Sequence, residues 1–452
     1  MSGYTNIDAY LETHLDRSLA ELGRLVAQPS ISAQKIGLPE CAALVGEMLA
    51  ARGFAVQIHP TPGSPIVFAE RKGKSDQTLL IYNHYDVQPP EPLELWETPP
   101  FEPSIRGGKM YGRGVSDDKG HLVSRLHAID ALLDEAGELP CNVKFIVEGE
   151  EETASVNLAK FVNEHTDLLQ ADACLWEFGG VDHTDTPQEY LGLRGILYVE
   201  LSLDLLGTDV HSGLGGSIFP NAAWRLVWAL NTLKGPDERI RVPGFYDEVQ
   251  PPSARDRDLM AALPDPAEEY KSRYGVPYFT KGLTGGTELK IEEVFTPTCT
   301  ICGLTAGYQG PGSKTVLPAR ASAKVDFRLV PNQNPEKILE SLRAHLDAHG
   351  FSDIQIENLG GDFPARTDPD HPFIKLVVET AKEVYDQPMA VIPITGGSGP
   401  NHPFIHVLGL PVATGGLGYP DTRTHAPNEN IRIDLYLKHA RHVARILSEL
   451  GK

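Results

Sequence analysis

The chain has 452 residues, 41% of them apolar, and its 40 Lys and Arg stand against 61 Asp and Glu for a net charge of -21. That length can bury a large core and predicts two domains rather than one, whereas the excess of negative charge repels a phosphate backbone or an anionic lipid surface and argues against nucleic-acid and membrane partners. Five scattered cysteines (Cys41, Cys141, Cys174, Cys299 and Cys302) argue against a disulfide framework and for a reducing, cytoplasmic setting; the lone C-x-x-C of Cys299 and Cys302 reads as strand packing.

The first thirty residues predict one amphipathic helix with charges throughout and no uninterrupted apolar segment of the signal-peptide kind, and no run approaches the length of a membrane span. Apolar runs and helical patterns then alternate: "FAVQIHP", "PIVFAE", "TLLIYNH", a helix from about Gly120 to Glu135, "NVKFIVEGE", a helix near Leu158, and "ACLWEF". Such alternation predicts an α/β layer with a largely parallel sheet. Past Gly192 the texture changes. "ILYVELSLDL" alternates with period two, and a helix "NAAWRLVWALNTL", a polar helical stretch around Asp265 to Tyr274, "ASAKVDFRLV" and a helix "PEKILESLRAHLDAHG" follow. Strand, helix, strand, helix predicts a compact α+β insert of ferredoxin-like kind. After "DFPARTDPDHP" the helix "FIKLVVETAKEVYD", the apolar "VAT" and a closing helix "LYLKHARHVARILSEL" return to the first texture. The expected organisation is a catalytic domain over 1–190 and 364–452, with a mixed, largely parallel sheet covered by helices, interrupted by a smaller lid domain over 191–363.

The chemistry is concentrated where strands end. His84 and Asp86, two residues apart after "TLLIYNH", project from one face of an extended chain. In "YGRGVSDDKGHLV", Asp117 and Asp118 open a helix, where an N-cap is the ordinary role. In "VKFIVEGEEETAS" a buried strand runs into Glu148, Glu150, Glu151 and Glu152, and adjacent carboxylates repel unless a cation or a shared proton lies between them. Glu177 ends "ACLWEF", and His425 sits in the loop "TRTHAPNENIRI". Carboxylates with a minority of imidazole suit zinc, manganese or cobalt, and their number suggests two ions. A ligating imidazole needs a partner for its other ring nitrogen, which gives Asp86 a reason to stand beside His84.

"HYDVQP", "GRGVSDDKG", the Glu run after "EG" and "THAPNE", in that order, resemble the motifs of the carnosinase and aminoacylase superfamily of two-metal peptidases, and the similarity extends over nearly the whole chain. The resemblance implies that His84 and Glu177 bind one ion, Glu152 and His425 the other, and Asp117 both, that the peptide from Asp117 to Asp118 is cis, that Asp86 orients His84, and that Glu151 is the general base acting on a water between the ions. The triple glutamate also admits base and ligand one position earlier, at Glu150 and Glu151; the small residues "TAS" that follow favour Glu151 and Glu152. In the insert, "GTDVHSGLGG" resembles the segment whose histidine, here His211, stabilises the oxyanion in a neighbouring subunit, which implies a homodimer through the lid. Arg328 in "DFRLVPN", with Gly396, Gly397 and Ser398 in "TGGSGPNHP", resembles the substrate-carboxylate site. The implied enzyme is a zinc dipeptidase (manganese or cobalt being the other candidates), or alternatively an N-acyl-amino-acid deacylase or carboxypeptidase. Glu at position 177 resembles the latter group, and "HSGLGG", "DFRLVPNQ" and the long lid resemble the carnosinase-like dipeptidases.

Overall fold

A computed structural model describes residues 4–452. The chain divides into two compact units, one comprising Met1–Gly192, Arg366–Pro393 and Pro400–Lys452, the other Leu193–Ala365 and Ile394–Gly399.

The first unit is built on a six-stranded sheet in the order Ala55–His59, Ile66–Arg71, Asn142–Glu148, Thr78–His84, Ala173–Trp176, Val412–Thr414. The last four strands run parallel, and the first two are antiparallel additions at one edge. Thr78–His84 lies between parallel neighbours, and Leu79, Leu80, Ile81 and Tyr82 are all buried, which is why it reads as a continuous apolar run rather than an alternating one. In register, His84 lies beside Glu148 and Trp176 beside Thr414. The parallel strands therefore end together and deliver their following loops to one edge, where open α/β sheets bind ligands.

Helix Lys119–Ala136 lies against the sheet and against the closing helix Ile433–Leu450, and Leu122, Leu126, Ile129, Val443 and Leu447 join one core. The N-terminal segment differs from the single expected helix: Thr5–Thr13 and Leu15–Val26 are separate, broken at His14. The Thr13 hydroxyl donates to the Ala9 carbonyl, and His14 Nδ1 lies 3.1 Å from the Tyr10 carbonyl oxygen, so local polar side chains compete for the carbonyls of the last turn.

In the second unit, strands Thr300–Ala306, Arg320–Leu329, Gly195–Asp204 and Gln355–Asp362 form an antiparallel sheet in that order. Helices Ala222–Leu233 and Pro335–Ala348 pack on it around Leu197, Val199, Leu226, Val325, Phe327 and Leu342. In chain order this is strand, helix, strand, strand, helix, strand, the ferredoxin-like arrangement. Three helices, Ala254–Ala262, Ala267–Tyr274 and Gly286–Phe295, are inserted before the second strand. The first and third of them gather a small core of Met260, Ile291, Val294 and Phe295 with Ile394. Segment Ile394–Gly399 joins this unit because Ile394 packs there, the Gly397 carbonyl accepts from Arg194 N, and Ser398 accepts from Arg328.

Candidate metal centre

His84 ends its strand fully buried. Its Nε2 lies 3.0 Å from Asp117 Oδ1 and 3.7 Å from Glu177 Oε2. Its Nδ1 faces the Asp86 carbonyl at 3.0 Å and the Asp86 carboxylate at 3.3 Å. Asp86, itself buried, also reaches the glutamate run, where its two oxygens accept from the backbone N–H groups of Glu151 and Glu152 at 3.2 and 3.1 Å. One carboxylate thus braces both the imidazole and the short turn Glu151–Thr153 that carries the glutamates.

Asp117 sits between two histidines. Oδ1 faces His84, and Oδ2 lies 3.0 Å from His425 Nε2; the Asp117–Asp118 peptide is cis. His425 Nε2 is also 3.1 Å from Glu152 Oε2, which accepts from Gln88 Nε2 at 2.9 Å. Within the glutamate run the three side chains part company. Glu150 accepts from Asn157 Nδ2 at 2.6 Å, Glu152 turns to His425, and the Glu151 carboxylate takes no hydrogen bond or ion pair from another described residue.

Two groups of donors can each hold a cation, His84 with Asp118 and Glu177, and Asp117 with Glu152 and His425, with one ligand atom per residue all within 4.8 Å of one another. Asp118 is engaged through one oxygen: Oδ2 accepts from Asn83 Nδ2 at 2.5 Å and from His84 N at 3.2 Å, whereas Oδ1 lies 2.9 Å from His121 Nδ1 without forming a hydrogen bond. Asp117, by contrast, offers one oxygen to each group.

Electrostatics and bonding both fit divalent cations here. Burial alone would lower the His84 pKa, yet the Asp117 and Asp86 carboxylates raise it well above the usual range. Asp117 and Glu152 push His425 up to about 10. Burial, aggravated by Glu151, raises Glu177 well above an ordinary carboxyl, and its Oε2 is buried without a hydrogen-bond partner. Burial also lifts Glu151 to about 8, with Asp117 and Glu152 adding to the rise against an opposing effect of His84. Asp117 is the exception: burial opposes the shift, yet His425 and His84 hold it well below the usual carboxylate range. Two raised histidines beside the raised carboxyls of Glu151 and Glu177 leave negative charge that a cation would stabilise, and the nearby buried cations do not supply it by direct pairing. Lys119 Nζ donates to the Leu25 and Gln28 carbonyls, and the Arg125 guanidinium to carbonyl oxygens. Unpaired oxygen donors with two imidazoles are a donor set for zinc, manganese or cobalt.

Several participants were given no role by the sequence reading, although most of them lie within the quoted motifs. Glu429, fully buried, accepts from Ser116 N and Asp117 N through Oε1 and from Gly114 N and Arg113 Nη1 through Oε2. It ties the His425 loop to the Asp117 loop, and its place in "THAPNENIRI" was the available hint. Asn83, Gln88, His121 and Arg125 likewise act through neighbours.

The other candidate residues lie in the second unit. Arg328 Nη1 donates to Ser398 Oγ at 2.8 Å, across seventy residues of sequence, and Arg328 Nε lies 3.4 Å from Asp326. Gly397 is anchored next to them by its carbonyl, which accepts from Arg194 N at 2.9 Å. His211 caps the turn Ser212–Gly215; Nδ1 accepts from Gly213 N, Nε2 lies 3.2 Å from Thr315 Oγ1, and the ring is exposed.

The chain is similar to known proteins. The profile of peptidase family M20/M25/M40 matches residues 80–449. The chain is 30% identical over 365 residues to Beta-Ala-His dipeptidase of Homo sapiens, covering 75% of this chain and 70% of that protein. It is 26% identical over 447 residues to Cys-Gly metallodipeptidase dug1 of Schizosaccharomyces pombe, covering 94% and 93%. Among solved structures it resembles the M20 family metallo-carboxypeptidase Sso-CP2 from Sulfolobus solfataricus, at 38% identity and a TM-score of 0.91 over 96% of this chain and 99% of that one. It also resembles human carnosine dipeptidase 1, at 26% identity and a TM-score of 0.79 over 99% of each. The chain belongs to peptidase family M20/M25/M40 and is a carnosinase-like two-metal peptidase.

Proposed function

We propose that the protein is a zinc dipeptidase of the cytoplasm, working as a homodimer, and that its first unit is the catalytic domain and its second a lid and dimerisation domain. The observation that carries the proposal is the Asp117 carboxylate, with one oxygen 3.0 Å from His84 and the other 3.0 Å from His425. In this reading His84 and Glu177 would hold the first ion and Glu152 and His425 the second, with Asp117 offering an oxygen to each. The ions, when bound, polarise the scissile carbonyl and acidify the attacking water. Asp86 keeps His84 oriented and fixes the Glu151–Glu152 backbone. Glu151, which no other described side chain engages, takes a proton from the attacking water and returns it to the leaving nitrogen. Arg328, Gly397 and Ser398 grip the substrate carboxylate, for which a planar guanidinium is suited, and His211 serves the oxyanion of the partner's site.

The dimer is supported by an apolar face on the second unit. Trp224 and Trp228 stack at 5.9 Å on helix Ala222–Leu233 and are 58% and 55% exposed. The edge strand Thr300–Ala306 exposes Ile301 and Leu304. An exposed edge with apolar neighbours is a surface that proteins cover. Five unpaired cysteines support the reducing compartment.

A second reading, a carboxypeptidase, is favoured by Glu177 and by the 38% identity to the metallo-carboxypeptidase; an N-acyl-amino-acid deacylase is its close variant. The test is hydrolysis by zinc-reconstituted protein of a dipeptide panel together with N-acetylated and C-amidated analogues. A dipeptidase cleaves free dipeptides and slows on both blocked forms. Rapid cleavage of the N-acetylated forms alongside rejection of the amides would make the second reading correct, and turnover of none of them would reject both.

A further inference from the structure

Arg125 is buried completely in the middle of helix Lys119–Ala136. The face of that helix needs only apolar side chains to pack, and Leu122, Leu126 and Ile129 provide them. A guanidinium there is costly to desolvate, and burial brings its pKa down to about 10. Both terminal nitrogens are nevertheless directed at acceptors, while Nε is buried without a hydrogen-bond partner. Nη1 donates to the Tyr82 carbonyl and to Asn83 Oδ1, each at 2.9 Å, and Nη2 reaches the carbonyls of Trp176, Glu177 (3.3 Å) and Gly415 (3.1 Å). One planar fork thereby joins the ends of three parallel strands at the residues flanking His84, Glu177 and the loop after Thr414. Asn83 extends the chain of contacts: its Nδ2 donates to Asp118 Oδ2, which also accepts from the backbone N–H of His84.

We propose that Arg125, acting with Asn83, is a positioning residue that sets where His84 and Glu177 meet the first metal ion, an inference that rests on both being ligands. Its charge and its geometry act in opposite directions. A buried cation near the site repels a divalent ion, so deleting the charge alone would tighten metal binding; weaker binding on deletion can arise only from lost geometry.

The test is zinc affinity of the full-length protein by chelator competition, with melting temperature measured alongside. Arg125→Met should weaken one of two zinc sites by about 10–100-fold, the range for partners that orient ligands. Arg125→Lys keeps the charge without the fork and should weaken it comparably. Asn83→Leu should cost up to about tenfold, and the double variant should lose little more than Arg125→Met, because both act through one network. Unchanged or tighter zinc binding in folded Arg125→Met, or full affinity in Arg125→Lys, overturns the proposal. Should Arg125→Met fail to fold, Asn83→Leu decides, and unchanged affinity there overturns it. A purely structural role would lower the melting temperature and leave zinc affinity intact, which also overturns it. The ligand assignment fails separately, if His84→Ala leaves zinc stoichiometry and affinity unaltered.

Discussion

Replacing Glu429 with Gln tests whether the two metal-bearing loops are held by one buried carboxylate. In the native chain Glu429 Oε1 accepts from Ser116 N (2.9 Å) and Asp117 N (3.1 Å), and Oε2 accepts from Gly114 N (3.0 Å) and Arg113 Nη1 (2.6 Å). A glutamine amide keeps one acceptor and turns the other into a donor, so two of these four contacts become donor against donor. Arg113, only 1% exposed, loses its counter-charge, and breaking a buried pair at one partner costs about 3–5 kcal/mol. We expect Glu429→Gln to lower unfolding free energy of the metal-free protein by that amount in urea titrations, and to weaken zinc binding by about 10–100-fold because the Asp117 backbone is released. Adding Arg113→Met to Glu429→Gln should recover part of the stability, since no charge is then left unpaired, but should not recover zinc affinity. A loss below about 1 kcal/mol, the scale of an ordinary neutral hydrogen bond, with unaltered zinc affinity would refute this reasoning.

Glu151→Gln should retain two zinc ions while kcat falls by about 10²–10⁴, whereas Glu150→Gln, whose parent side chain is bonded to Asn157, should leave kcat within about twofold; the reverse pattern in steady-state assays would move the base to Glu150. Zinc at one hundred times its Kd should stabilise the chelator-treated protein by about 2.7 kcal/mol in urea unfolding, and no difference would mean that the native fold does not favour zinc. His442 is buried with its Nε2 on the Val377 carbonyl, and burial lowers its pKa from 6.5 to about 4. Below pH 6.5 the unfolded chain binds the proton first, so stability of the metal-free protein should fall between pH 6.5 and 4, and His442→Gln should flatten that slope. Trp224→Ser with Trp228→Ser should shift the protein from dimer to monomer in sedimentation velocity; an intact dimer would place the interface elsewhere.

The sheet was legible because its central strands are parallel and buried on both faces, so "TLLIYNH" and "VKFIVE" stand out as unbroken apolar runs with polar residues at their ends. The same feature singled out the metal-binding candidates, since a carboxylate or imidazole directly after such a run has no ordinary packing role. Adjacency could not distinguish Asp117 from Asp118, or Glu150 from its neighbours. Those differences come from partners elsewhere in the chain: Asn83 and His121 for Asp118, and Asn157 for Glu150. The roles of Arg125 and of Glu429, the last residue of "THAPNE", were illegible for a related reason. Both residues bind backbone groups, up to 290 and 315 residues away, and carbonyls and amides leave no pattern in a sequence. The helical insertion was seen only at Asp265–Tyr274, because the helices on either side of it are short and between them bury only Met260, Ile291, Val294 and Phe295 in their small core.

The central claim, that Asp117 joins two ions, is tested most directly by anomalous diffraction at the zinc edge from crystals of zinc-reconstituted protein. The account predicts two peaks about 3.5–4 Å apart, one bounded by His84 and Glu177, the other by Glu152 and His425, with an Asp117 oxygen on each. A single peak, or a pair in which Asp118 rather than Asp117 contacts the metal, would contradict it.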